Sequence, residues 1–279
     1  MYSQIINGAE SSSVTDTDET IREQLEVFRS SNEPEVVWSE EDRSQFAKIM
    51  KEQGIESQRM KEALELFYYR FISARVVNAV CPFYTNIRIP REQIYQRAIA
   101  NGLDAKIHPK FTGVSVRYSH QVDGMDLKFT AIYFSSGAIN CVGVKCLKSS
   151  GIGIVEQIIK KNIPTIFGKA LSEDVTILKK ISNRVISLKV PQTISLDKLE
   201  VFNKSEEYWR HCKYQLDIFP GLIYIIPKMK AKVLYFRTGS MISCGVTSSH
   251  LQKAVGMKLV KKLAYYVRTA LVEEDRDPV

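Results

Sequence analysis

Histidine is scarce in this chain, four in 279 residues, and the four (His108, His120, His211, His250) are scattered. Only His211-Cys212 sets two metal-ligating side chains together, and no second pair completes a zinc site. Phosphate-cradling loops are lacking too. Gly151-Ile152-Gly153 has none of the further glycines of a dinucleotide fingerprint, and no glycine run ends in Lys-Ser or Lys-Thr. Nothing points to catalysis, a metal or a cofactor. The five cysteines are odd in number and scattered, and four lie in or beside strand-like runs, which suits reduced, buried thiols better than a disulfide framework. No apolar run is long enough to span a bilayer, and residues 1–10 lack the basic and apolar regions of a secretory signal. A soluble intracellular protein is the expectation.

Charge is abundant and uneven. Residues 1–66 hold seven Lys and Arg against fifteen Asp and Glu, leaving 32 against 16 in the remainder of a chain whose totals are 39 and 31. A strongly basic body is an ordinary electrostatic footprint for nucleic acid. With 44% hydrophobic residues the body can bury a core of one large or two small domains. Residues 1–20, rich in Ser, Thr and Asp, are expected to be a disordered acidic leader. Residues 21–72 read as a helical extension: Ser39 with Asp42 forms a capping box ahead of Phe46, Ile49 and Met50, and a second helix from Ser57 turns Met60, Leu64, Phe67 and Phe71 inward. Such a pair either packs on the main domain or serves as a partner-binding or autoinhibitory arm.

Beyond it a pattern occurs twice. Phe134, Gly137 and Gly143 recur as Phe236, Gly239 and Gly245, each 102 positions on, so residues 73–166 and 167–279 read as two copies of one unit, the second with a short acidic tail. Copy one reads as a strand at 76–81, a helix opened by Pro90 and closed by Asn101-Gly102, strands near 111–118, 127–135 and 138–146, and a helix carrying Ile154, Val155, Ile158 and Ile159. Copy two repeats the order: a strand at 185–190, a helical stretch near 196–202, strands near 219–226, 231–237 and 240–247, and a helix from Ser249. Each unit is an α+β curved antiparallel sheet with helices on one side. Alternation puts Ile132 and Phe134 on one sheet face and Ala131 and Tyr133 on the other, and Leu234/Phe236 against Val233/Tyr235 keep that phase. If the phenylalanines take the uncovered face, the chain exposes an apolar interaction surface.

These features resemble the TATA-box-binding protein family over roughly residues 75–267. Phe219-Pro220-Gly221-Leu222-Ile223-Tyr224 is similar to the family's second-repeat FPGLIY, His108-Pro109-Lys110-Phe111 to its NPKRF, and Phe134-Ser135-Ser136-Gly137 to its IFSSG hairpin. The resemblance implies a two-repeat saddle with helices on the convex face. It also implies minor-groove intercalation, for which this family is the standing example. The wedge positions are Phe111 with Phe134, and Phe219 with Phe236. Between them the implied floor holds Val77, Ile132, Val185, Leu234 and Ile242, with Asn140 at a usually apolar position. Of the family's paired Asn and Thr, one Asn position keeps Asn183 while its counterpart is Arg75, and the Thr positions hold Val142 and Cys244. Lys110, Arg117 and Lys145 match phosphate-contacting positions, and Lys228, Lys230 and Lys232 lie near the eroded ones of copy two.

The implied partners are double-stranded A·T-rich promoter DNA, factors like transcription factors IIA and IIB, and the RNA polymerase machinery, with a monomer on DNA. Gln215, Asp217 and Ile218 occupy the place of a factor IIB contact, and Lys253, Lys258, Lys261 and Lys262 fall on the convex-side helix. The expectation is a DNA-bending transcription initiation factor of the nucleus, or of a viral factory in a viral source. The alternative is a saddle kept as a protein-interaction scaffold.

Overall fold

The capping box forms. In the computed structural model, which describes residues 21–23, 25–26, 38–74, 76–109, 112–122, 125–144, 149–168, 182–204 and 210–274, Ser39 Oγ accepts from the Asp42 amide at 3.1 Å and Asp42 Oδ2 from the Ser39 amide at 3.0 Å. This opens helix α1 (Glu40–Glu52), and Ser57 caps α2 (Gln58–Ser73). Phe46, Ile49 and Met50 of α1 and Leu64, Phe67 and Phe71 of α2 are buried as predicted, with Met60 half-buried. Trp38 stands edge-on to Phe46 and Tyr68 at centroid distances of 5.1 and 4.9 Å.

Both helices lie against the long helix of copy two, α5 (Ser249–Glu274), and so on the back of the sheet. The approach is close because α5 carries Gly256, where a Cβ would come within 2.9 Å of the Phe71 ring. Gln252 Nε2 donates to the carbonyls of Phe71 at 2.7 Å and Ile72 at 3.2 Å at the end of α2, where the Phe71 carbonyl also accepts from the Ala74 amide at 3.4 Å. The extension is thus a helical pair packed on the main domain. The acidic leader lies outside the described residues.

Ten antiparallel strands form one sheet in the order β2-β3-β4-β5-β1-β6-β10-β9-β8-β7. Copy one supplies β1 (Val76–Tyr84), helix α3 (Arg91–Ala100), β2 (Asp104–Ile107), β3 (Val114–Val122), β4 (Met125–Tyr133), β5 (Ala138–Val144) and helix α4 (Ser149–Phe167). Copy two supplies β6 (Asn183–Lys189), a 3-10 turn (Leu199–Lys204) where a helical stretch was expected, β7 (Cys212–Lys213), β8 (Gly221–Ile225), β9 (Lys232–Phe236), β10 (Ser240–Cys244) and α5. β2 and β7 carry too few side chains for an alternation to be read. The copies meet where β1 pairs with β6, giving two like halves around that seam. They are unequal in length: Phe111 and Phe134 are 23 positions apart, Phe219 and Phe236 only 17. The surplus lengthens the β3–β4 hairpin, paired from Val114↔Tyr133 to Val122↔Met125, whereas β8–β9 pairs from Gly221↔Phe236 to Ile225↔Lys232.

Over much of β3, β4, β5, β9 and β10 alternate residues are sealed under helices. Val116, Ala131, Tyr133, Ile139, Cys141, Val233, Tyr235, Met241 and Ser243 are all inaccessible, while their strand neighbours are half-buried or exposed on the other face. Lys262, expected on the convex surface, is instead inaccessible. Its Nζ lies 4.6 Å from the ring centroids of both Phe202 and Tyr224 and 3.1 Å from Cys212 Sγ, so aromatic faces replace water around the ammonium. Lys261 reaches Glu52 of α1 at 3.6 Å.

Two consequences are measurable. Burial holds the Tyr133 and Tyr235 hydroxyls well above their ordinary pKa and pushes Tyr118 up to about 12, its bond with Tyr133 partly offsetting the burial. A folded-state pKa above the unfolded one gives stability that is complete below about pH 10 and is lost as pH rises beyond it. The urea midpoint is expected to hold to that pH and then fall, with the share of tyrosinate absorbance that belongs to the buried Tyr133 and Tyr235 appearing only on unfolding. Gly256→Val, which drives a branched side chain into Phe71 and Tyr68, is expected to cost about 1–3 kcal/mol in urea unfolding.

Candidate nucleic-acid interface

The recurrent Phe-x-x-Gly is a hairpin turn made twice. The Gly137 amide donates to the Phe134 carbonyl and the Gly239 amide to the Phe236 carbonyl, each at 2.9 Å. Both glycines have left-handed backbones, φ 86° and 77°. Each turn therefore leaves a half-buried phenylalanine at the end of its strand, on the face that no helix covers among the described residues.

The FPGLIY segment prepares the second of these sites. Leu222 and Tyr224 point into the core, and Ile223 faces the open side. Gly221 is the cross-strand partner of Phe236. A Cβ there would lie 2.9 Å from the rings of both Phe219 and Phe236, so the missing side chain is the seat on which the rings meet, edge to face, at 5.8 Å and 61°. Phe111, the expected partner of Phe134, lies outside the described residues.

Three rows of paired residues cross the open face of each half, running from its hairpin strands to the seam. The outer row is Phe134, Ala138 and Tyr84 in copy one, and Phe236, Ser240 and Lys189 in copy two. The middle row is Ser115, Ile132, Asn140 and Pro82 against Ile223, Leu234, Ile242 and Ser187. The inner row is Arg117, Thr130 and Val142 against Ile225, Lys232, Cys244 and Val185. Val77, at an irregularity between Val76 and Asn78, is 38% exposed. Burial raises the Cys244 thiol pKa, partly offset by Lys232, so it stays neutral and adds no charge to the face.

At the seam lies a pair that the sequence reading missed. Asn78 Oδ1 accepts from the Gly143 amide at 2.8 Å, and Asn183 Oδ1 from the Gly245 amide at 2.6 Å. Asn78 sits opposite Val185 and Val80 opposite Asn183, as a twofold relation requires. Within the sheet the counterpart of Asn183 is therefore Asn78, a place the sequence reading gave to Arg75, which lies outside the described residues. Since a backbone N–H only donates, the amide oxygen must face it, and each Asn keeps its NH2 group for an acceptor elsewhere.

Arg117 and Lys232 are exposed on the open side, and Lys228 and Lys230 are exposed at the β8–β9 turn. Lys110 and Lys145 lie outside the described residues. Gln215, Asp217 and Ile218 share an exposed tight turn in which the Ile218 and Phe219 amides both donate to the Gln215 carbonyl, at 3.0 and 2.9 Å. Ile218 is 78% exposed and Leu216 53%.

The family described as "Transcription factor TFIID (or TATA-binding protein, TBP)" matches residues 179–266. "TATA-box-binding protein 2" of Entamoeba histolytica is 28% identical over 204 residues, 72% of this chain and 82% of that protein. The chain is thus similar to TATA-box-binding proteins, over copy two in the family match and over most of its length in the relatives. The "TATA-box-binding protein" of Thermococcus sibiricus is 28% identical over 175 residues, 61% of this chain and 82% of its own. A solved structure, "Methanococcus jannaschii TBP", is 24% identical and covers 68% of this chain and 97% of its own, with a TM-score of 0.46. The family match falls on copy two, the copy with FPGLIY and the shorter hairpin. Among the described residues no cluster of three His, Cys, Asp or Glu could hold a metal, and no helix is long and apolar enough to cross a membrane.

The glycine seat is testable by itself. Gly221→Ala is expected to destabilise the fold by about 1–3 kcal/mol in urea, because two packed rings must part. Gly153→Ala in α4, where a Cβ would meet nothing within 4 Å, is expected to be neutral or stabilising.

Proposed function

We propose that the open face binds duplex DNA through the minor groove, that Phe111 with Phe134 and Phe219 with Phe236 wedge between base steps, and that the protein thereby bends promoter DNA as a transcription initiation factor. One observation carries this reading. Two hairpins closed by the same Phe-x-x-Gly hydrogen bond hold Phe134 and Phe236 on one open face, at the far ends of matching rows, with Asn78 and Asn183 at equivalent places beside the seam between them. The NH2 groups of those asparagines suit a groove that offers mainly acceptors at A·T pairs. Unstacking costs about a few kcal/mol per step and bending roughly 1–10 kcal/mol, so wedges help only where the bent duplex meets a broad floor. Ile132, Val142, Val185, Leu234 and Ile242 supply that floor, and Arg117, Lys110, Lys145 and the β8–β9 lysines the phosphate contacts. The exposed turn of Gln215, Asp217 and Ile218 is the proposed contact for a factor IIB-like partner, with factor IIA-like proteins and the polymerase completing the assembly in the nucleus.

Energy transfer across end-labelled A·T-rich duplexes tests the wedge. The intact chain is expected to bend them, and Phe134→Ala/Phe236→Ala to bind more weakly without bending. Arg117→Ala is expected to reduce the slope of log affinity against log salt by about 1, leaving sequence preference unchanged. If the intact chain shows no salt-sensitive binding to any duplex, the reading fails and the open face becomes that of a protein-interaction scaffold.

A further inference from the structure

The two halves of the open face differ most sharply at Asn140. Its strand neighbours Ile139 and Cys141 are inaccessible beneath the helices, so Asn140 faces the open side, half-buried. Across the ladder it pairs with Ile132 on β4 and Pro82 on β1, which lie on the same face. It is thus an amide in an otherwise apolar stretch of its row. The equivalent residue of copy two, 102 positions on, is Ile242, beside Leu234. Asn78 and Asn183 commit their oxygens to glycine amides, but Asn140 makes no such bond among the described residues. Both its acceptor and its donors are available to a ligand.

The minor groove supplies a reason for such a group. A·T and T·A pairs present only acceptors there, whereas a G·C pair adds the guanine 2-amino donor. Against isoleucine that donor is buried without a partner. Against asparagine it donates to Oδ1, while Nδ2 donates to a neighbouring base acceptor. An A·T pair at the same place would satisfy Nδ2 and leave Oδ1 unpaired. Resting on the DNA-binding reading above, we infer that Asn140 makes the copy-one half of the face select a G·C pair between the Phe134 wedge and the centre of the site. Ile242 keeps the copy-two half restricted to A·T. One G·C pair in an A·T site then fixes the direction in which the protein sits.

The test uses the full chain on an A·T-only duplex, on duplexes with one G·C pair moved through the site, and on the same set with inosine for guanine, which removes only the 2-amino group. The wild type is expected to bind guanine about 5- to 150-fold tighter than inosine at one position in one half. Asn140→Ile is expected to lose that difference and to hold the A·T-only duplex at least as well. Ile242→Asn is expected to gain a guanine preference at the symmetry-related position, which tests the assignment even if the first variant fails to fold. Equal binding of guanine and inosine throughout, with the A·T-only duplex still bound, overturns the assignment and leaves the DNA-binding reading standing. No binding to any duplex overturns both.

Discussion

Backbone pairing of β1 with β6, with Asn78 opposite Val185 and Val80 opposite Asn183, turns two copies of one unit into a single sheet. Separate copies would each expose a seven- or nine-residue strand edge, a template for association with other chains. Joined antiparallel, the two edges consume one another. The remaining edge strands are β2, of four residues, and β7, of two. The pairing also generates the twofold relation, so every feature on the open face of one copy has a fixed counterpart on the other.

From that seam outward the side-chain period of two does the rest. With Tyr133 and Tyr235 sealed beneath the helices, Ile132, Phe134, Leu234 and Phe236 have no choice but the opposite face. A slip of one residue would exchange the sets, exposing tyrosines and burying Phe134 and Phe236. The left-handed glycines of the two hairpin turns resist such a slip. At Gly137 a Cβ would fall 2.4 Å from the Thr85 carbonyl oxygen, so the turn admits no other residue without rebuilding the end of β1. The constraint that keeps the core dry is the one that keeps the phenylalanines out.

What was legible in the sequence was local. The capping box at Ser39, the helix start at Pro90 and the Phe-x-x-Gly turns each occupy a few consecutive residues and are decided by their own chemistry. Alternation put Phe134 and Phe236 in the same phase, opposite Tyr133 and Tyr235, but left open which of the two faces the helices cover. What was illegible depended on the chain's return from far away. The seam asparagine was missed because the copies differ in length between it and the Phe-x-x-Gly turn: Asn78 precedes Phe134 by 56 positions and Asn183 precedes Phe236 by 53, so the asparagines are 105 apart and not 102. Lys262 reads as a surface lysine on an amphipathic helix, since the rings that cage it, Phe202 and Tyr224, come from distant segments. The docking of the acidic extension was open for a related reason. α5 is buried on two sides, against the sheet and against α1 and α2, so its pattern alone does not say which partner each side meets.

The two copies share a scaffold but have parted in chemistry, and the parting follows the places where the scaffold leaves freedom. Buried positions keep their counterparts: Tyr133 and Tyr235, Ile139 and Met241, Val144 and Val246 are all sealed apolar or aromatic side chains. Open-face positions do not, with Asn140 against Ile242, Arg117 against Ile225, Thr130 against Lys232, and a longer hairpin on one side only. A core is close-packed and penalises independent change, whereas an open face answers only to what lies against it. A twofold face would hold a duplex equally well in either direction. Each unlike pair splits that degeneracy, and about 1.4 kcal/mol of difference makes one direction tenfold more populated than the other. In the proposed reading, orientation on DNA therefore requires no additional domain, because it accumulates from unlike residues at equivalent positions of one sheet.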